Sequence, residues 1–142
     1  MKNLWAPWRI EYVKNKKEKG CIFCKKPKLD DREGLILFRG KTSIILMNLY
    51  PYNNGHLLIS PLRHIDTFTD MVQIEKIEIL DLIDHSMNSL SRIMKPEGFN
   101  IGANIGESAG AGIKDHIHFH VVPRWGGDTN FMPVLGETKV QV

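Results

Sequence analysis

The stretch His116-Ile117-His118-Phe119-His120-Val121-Val122-Pro123 decides the fold. Side chains alternate across a β-strand, so His116, His118 and His120 point to one face while Ile117, Phe119 and Val121 point to the other. Residues 116–123 are therefore expected as a strand that carries half of the chain's six histidines on one surface. At a rise of about 3.3 Å per residue, same-face neighbours stand about 7 Å apart, close enough for adjacent rings to serve one small ligand. A solvated polar face or an adventitious metal site is the bland alternative. Imidazole titrates near pH 6.5, so a neutral ring can attack an electrophile at cellular pH and later depart. With phosphorus as the electrophile, one ring would form a phosphoramidate and a neighbour would donate where charge develops. Such chemistry needs no organic cofactor.

Working outward from that strand, Gly34 and Gly40 bracket the apolar run 35–38, and residues 43–48 follow as a second β-like run. Pro51-Tyr52-Asn53-Asn54-Gly55 supplies turn chemistry leading to a third strand over residues 56–60, which Pro61 ends. From residue 72 to 94 the period changes: Ile77, Leu80, Ile83, Met87, Leu90 and Met94 recur at three and four, the stripe of an amphipathic helix. Pro96 and Gly98 stop it, and residues 99–104 read as a fourth strand. One long helix on a largely antiparallel five-stranded sheet, a half-barrel, is an α+β arrangement.

The 142 residues are 42% hydrophobic and 25% charged, which suits one domain with one core. Residues 1–20 read as an N-terminal clip, with Leu4-Trp5-Ala6-Pro7-Trp8-Arg9 leading into a short helix near residues 8–13. Residues 124–142 read as a mostly irregular tail. The apolar runs fall far short of the roughly 18 residues of a membrane span. Pro7, Arg9 and Glu11 break any secretory signal. No membrane association and a cytoplasmic location are expected. A net charge of +3 is too small for nucleic-acid binding and suits a small anionic substrate. The cluster Lys14, Lys16, Lys17, Lys19, Lys25, Lys26 and Lys28 reads as a solvated loop, and His85 on the helix as unremarkable.

Cys21 and Cys24 are the only cysteines. Two residues between them suit two thiolates gripping one zinc ion. A redox pair is the rival, although thioredoxin-type motifs open a helix after a buried strand, whereas a lysine-rich loop precedes this pair.

The pattern His-φ-His-φ-His-φ-φ, with φ apolar, resembles the signature of the histidine triad superfamily of nucleotidyl hydrolases and transferases. The resemblance covers residues 21–125. Leu46-Met47-Asn48-Leu49-Tyr50-Pro51-Tyr52-Asn53-Asn54-Gly55-His56, followed by Leu57-Leu58-Ile59-Ser60-Pro61, is similar to the nucleotide-site strand pair of the dinucleoside polyphosphate branch. The two tryptophan segments, Leu4-Trp5-Ala6-Pro7-Trp8-Arg9 and Pro123-Arg124-Trp125-Gly126-Gly127-Asp128-Thr129-Asn130-Phe131, resemble bacterial members related to diadenosine tetraphosphate phosphorylases. The resemblance implies that His118 attacks the α-phosphorus and that His120 hydrogen-bonds the phosphate or the leaving oxygen. It also implies that His56 stands beside the phosphates, Asn48 holds ribose hydroxyls and Asn104 precedes the phosphate loop. That loop, residues 106–112, could cradle phosphate through backbone N–H groups, with Gly110 and Gly112 allowing close approach. Many members carry Gly-Gln-Ser or Gly-Gln-Thr before the triad; here Ala111-Gly112 stands in a loop one residue longer, without those side-chain donors.

For the metal, the resemblance implies that His64 and His116 complete a tetrahedron with Cys21 and Cys24 around a structural Zn2+. It implies a homodimer formed through the long helix and an adjoining strand. Three functions stay open at this point. They are cleavage of dinucleoside polyphosphates at the α-phosphorus with water or phosphate as acceptor, hydrolysis of nucleoside phosphoramidates, and nucleotide binding without turnover.

Overall fold

In the computed structural model, residues 20–128 are described. The expected N-terminal clip and helix near residues 8–13, and the tail beyond residue 128, lie outside them. Five strands form one sheet: β1 (Ile36–Arg39), β2 (Ser43–Met47), β3 (Leu57–Pro61), β4 (Gly98–Gly102) and β5 (Phe119–Arg124). Their spatial order is β1-β2-β3-β5-β4, and every adjacent pair is antiparallel. The helices are α1 (Ile22–Lys25), α2 (Asp31–Gly34) and α3 (Gln73–Met94), with 3-10 turns between elements. This is the α+β arrangement expected. No helix among the described residues is long and apolar enough to cross a membrane.

Local chemistry sets the helix ends. The Asp30 carboxylate accepts from the N–H groups of Arg32 and Glu33, both at 2.9 Å, and starts α2. At α3 the Glu75 carboxylate reaches back to the Val72 N–H at 3.0 Å. Lys95 ends α3 in the left-handed region at φ 50°, so Pro96 meets a helix already closed. Glu75 is buried and grips the Arg63 guanidinium at 2.8 and 2.9 Å, which ties residues 62–64 to the start of α3.

The sheet is covered on both faces. Ile45, Leu57, Ile59, Ile117, Phe119 and Val121 pack with Ile79, Leu82, Ile83 and Leu90 of α3. On the other face Ile44, Leu46 and Leu58 pack with Phe23 of α1, whose complete burial contributes about 1.5–3 kcal/mol. One cross-strand row runs Ile36, Leu46, Leu58, His120 and Gly102, so the register itself brings His120 next to the Phe23 cluster.

The structure shifts the strand boundaries and corrects the helical stripe. The ladder of β5 begins at Phe119, not at residue 116, and runs to Arg124. Residues 116–118 are held instead by the Ile117 N–H donating to the Ile65 carbonyl at 2.7 Å and by Ser60 Oγ donating to the Ile117 carbonyl at 3.3 Å. β4 begins at Gly98 and stops at Gly102, and Pro61 closes β3 from within. On α3 the sheet takes Ile79, Leu82, Ile83, Ser86 and Leu90, while Ile77 and Leu80 of the expected stripe stay 52% and 67% exposed. The helix is apolar around more of its circumference than one sheet face can cover, so periodicity alone misplaced the buried face.

Candidate active site and metal centre

The triad rings share the face covered by α1. Phe23 packs over His118 at a ring-centroid distance of 4.7 Å and over His116 at 5.3 Å, and His118 meets His120 at 5.1 Å. His56, which immediately precedes β3, joins them at 5.1 Å from His120. The structure thus brings His56, His116, His118 and His120 together.

Fixed donors and acceptors determine where each proton sits. The Tyr52 N–H donates to His56 Nδ1 at 3.0 Å, and the Asn48 side-chain amide donates to the same nitrogen at 3.2 Å. Neutral His56 therefore carries its proton on Nε2 and donates it to His120 Nδ1 at 2.9 Å. That places the His120 proton on Nε2, which is buried and has no hydrogen-bond partner among the described residues. His118 Nδ1 donates to the His116 carbonyl at 2.9 Å, so its Nε2 keeps a lone pair. The face presents one bare nitrogen beside one N–H that lacks an acceptor, a pair suited to nucleophilic attack and to hydrogen-bond stabilisation of a leaving group.

Electrostatics keep these rings neutral. Burial holds His118 below the ordinary histidine range. Burial, with repulsion from His118 second, brings His120 down to about 4.

Asn48 sits beside the site, and its carbonyl oxygen accepts from the Tyr50 N–H at 2.9 Å. Its visible task is to order His56. Asn104 lines a cleft with His120 over β4 and β5. Gly110 and Gly112 lie in the exposed loop that leads into His116, and Gly110 takes φ +82°, a conformation that favours glycine.

Cys21, Cys24, His64 and His116 form a second cluster, with all four ligand atoms within 4.8 Å of one another. Cys21 Sγ stands 3.2 Å from His116 Nδ1, and Cys24 Sγ stands 3.4 Å from His64 Nδ1 and 3.6 Å from His116 Nδ1. A tetrahedral ion with bonds of 2.0–2.3 Å has ligand–ligand edges of about 3.3–3.8 Å, so these spacings fit one metal ion. His116 Nε2 donates to the Pro61 carbonyl at 2.9 Å, which leaves Nδ1 free to ligate. Burial pushes the Cys24 thiol up; a bound cation would reverse that. The pair does open one turn of helix, with Cys21 as its N-cap, but both thiols face imidazoles.

Sequence reasoning missed Phe23 as the cover of His118 and Tyr52 as the ring lying 5.5 Å from His120 at 20°. Both lay inside motifs already singled out, so the signal was an aromatic between or beside polar site residues.

Residues 31–127 match the HIT domain model, and the chain belongs to the HIT family. It is a histidine triad enzyme, of the nucleotidyl hydrolase and transferase class. An "AP-4-A phosphorylase" of Mycobacterium tuberculosis is 38% identical over 149 aligned positions, covering 99% of this chain and 76% of that protein. The "adenosine 5'-monophosphoramidase hnt1" of Schizosaccharomyces pombe is 29% identical over 73% of this chain and 74% of its own length. Among solved structures, a histidine triad nucleotide-binding protein of Sulfolobus tokodaii superposes with a TM-score of 0.68 at 26% identity, over 76% of this chain and 71% of that one.

Proposed function

We propose that the enzyme cleaves dinucleoside polyphosphates of the diadenosine tetraphosphate kind at the α-phosphorus, through a nucleotide held covalently on His118. The observation that carries this reading is the tautomer chain from Tyr52 through His56 to His120, beside the bare Nε2 of His118. In the first step the His118 Nε2 lone pair forms an N–P bond while the bond to the leaving polyphosphate oxygen breaks. The His120 Nε2–H hydrogen-bonds that oxygen and stabilises the charge developing on it, and the polyphosphate leaves as the anion. In the second step the acceptor's oxygen attacks phosphorus, the N–P bond breaks with its electron pair returning to His118 Nε2, and any proton on the acceptor is released to solvent. Asn48 and Asn104 are assigned to the ribose and to the entrance of the phosphate loop, and the backbone of residues 106–112, with Gly110 and Gly112, to the phosphates.

We assign phosphate as the preferred acceptor, supported by the likeness to the mycobacterial phosphorylase over 99% of this chain. Product analysis with and without inorganic phosphate tests this. ADP with ATP as co-product from diadenosine tetraphosphate supports phosphorolysis; AMP with ATP under both conditions establishes water instead. The phosphoramidase relative favours a second substrate, a nucleoside phosphoramidate, whose departing amine the same His120 N–H can hydrogen-bond. Turnover of adenosine 5′-monophosphoramidate above that of diadenosine tetraphosphate would make it the main one.

The metal is assigned as Zn2+ on Cys21, Cys24, His64 and His116, since a two-sulfur, two-nitrogen set with tetrahedral edges suits zinc. Such an ion closes its four positions and contributes folding free energy. The chain is assigned as a homodimer through Leu80 and Ile77 of α3 and the exposed edge β4, supported by their exposed apolar surface. The free cysteines suit a reducing compartment, which supports the cytoplasm.

A further inference from the structure

We propose that the cleft between Tyr52 and the β4 edge binds the nucleoside of the leaving half of the substrate, so that one sheet face seats both ends of a dinucleotide. This rests on the proposed cleavage at His118. The cleft has a volume of about 240 Å³, and Tyr52, Asn100, Gly102, Asn104, His120 and Val122 are among its walls and floor. That is below the ~300 Å³ at which whole-ligand pockets begin and suits one heterocycle rather than a dinucleotide.

Its position follows from β5. His118, His120 and Val122 alternate onto one face about 7 Å apart, in the order attacking ring, proton-bearing ring, cleft floor. Displacement at phosphorus is in line, so the leaving group departs on the side away from His118 Nε2, towards Val122. The unpartnered Nε2 of His120 marks where the leaving oxygen stands, and His120 also lines the cleft.

Its chemistry favours a neutral planar group over phosphate. Among the described residues no cationic side chain lines it. Nearby Arg124 is engaged by Asp128, at 2.7 Å through one nitrogen, and by Asn100 Oδ1 at 2.6 Å through another. The wall is the Tyr52 ring, the floor is Val122 and Gly102, the amide of Asn100 suits the edge of a nucleobase, and Asn104 stands at the end of the cleft that meets the phosphate loop. An aromatic side chain against a base is worth about 1–3 kcal/mol, or about tenfold and more in affinity.

Gly102 has open space where a Cβ would stand, so Gly102→Leu puts a side chain at the cleft while leaving the ladder backbone intact. The test compares diadenosine tetraphosphate with adenosine 5′-tetraphosphate, which offers the same attacked phosphorus and lacks the second nucleoside. Gly102→Leu and Tyr52→Ala should each lower the kcat/KM ratio of the first substrate to the second by about tenfold, mainly through KM. Equal losses on both substrates would overturn the proposal. A second arm needs no turnover: in His118→Ala, the amide NMR signals of Gly102 and Ala103 should move with the dinucleotide and stay with adenosine 5′-tetraphosphate. If wild type forms no covalent nucleotide from either substrate, the cleavage reading falls. The NMR arm then still decides the cleft, where shifts uphold it and their absence sinks it.

Discussion

His56 Nε2 lies 2.9 Å from His120 Nδ1, and this single hydrogen bond sets where the proton of His120 resides. The bond is itself determined by a main-chain donor, the Tyr52 N–H, which cannot change its role with pH. A rigid backbone group thus orders two imidazoles in series. On the proposed function, His56 acts through His120 and is assigned as a positioning residue.

Replacing His56 by Ala should free His120 to carry its proton on either nitrogen. We expect kcat to fall about 100-fold with KM changed far less, because the group lost serves the transition state rather than substrate binding. Ring 15N shifts provide the readout that a merely structural role would not move. Wild-type His120 should show a protonated Nε2 and a bare Nδ1, and the variant a mixture.

Burial depresses the pKa of His120 to about 4, and that fixes the sign of a pH effect on stability. Below the unfolded value of about 6.5, the unfolded chain binds a proton that the folded chain refuses. The stability supplied by neutral His120 is therefore complete above about pH 6.5 and is lost as pH falls towards about 4. Denaturation midpoints from about pH 7 down to about pH 5 should decline less steeply in His120→Gln than in wild type. Equal slopes would mean that His120 is not buried in neutral form.

Metal content should fall from one ion per chain to almost none in Cys21→Ser, and in Cys24→Ser likewise. The thermal midpoint should drop by about 10 °C, since an ion that binds only the folded chain stabilises it by mass action. Atomic emission on protein purified without added metal, paired with calorimetry, checks both numbers. Unchanged content would remove the four-ligand site.

Leu80→Glu places a charge at the centre of the exposed apolar strip of α3, away from the face that packs on the sheet. Sedimentation should show wild type as a dimer and this variant as a folded monomer with an unchanged circular dichroism spectrum. A monomeric wild type would end the dimer assignment.

Much of this site is legible in the sequence because strand alternation is a short-range rule. His118 and His120 share a face although the ladder begins only at Phe119, and the neighbouring Ile117 and Phe119 enter the α3 core. Register is longer-ranged: that Leu58 stands opposite His120, and so delivers His56 to it, depends on pairing between residues 62 apart. The candidate metal ligands His64 and His116 are implied only by family resemblance, since gaps of 40 and 52 residues carry no spacing signal. The buried face of α3 was misjudged because Ile77 and Leu80 keep helical period on a side the sheet does not cover. The spacing of the two cysteines says nothing of Phe23 between them, yet Phe23 is fully buried against the His118 ring.

The central claim is that His118 Nε2 takes the nucleotide, and rapid-quench peptide mass spectrometry with diadenosine tetraphosphate addresses it directly. An adenylate on the peptide bearing His118, absent in His118→Ala and present at reduced rate in His56→Ala, is the predicted result. Product formation at wild-type rates by His118→Ala, or an adenylate localised to His120 in the wild type, would contradict it.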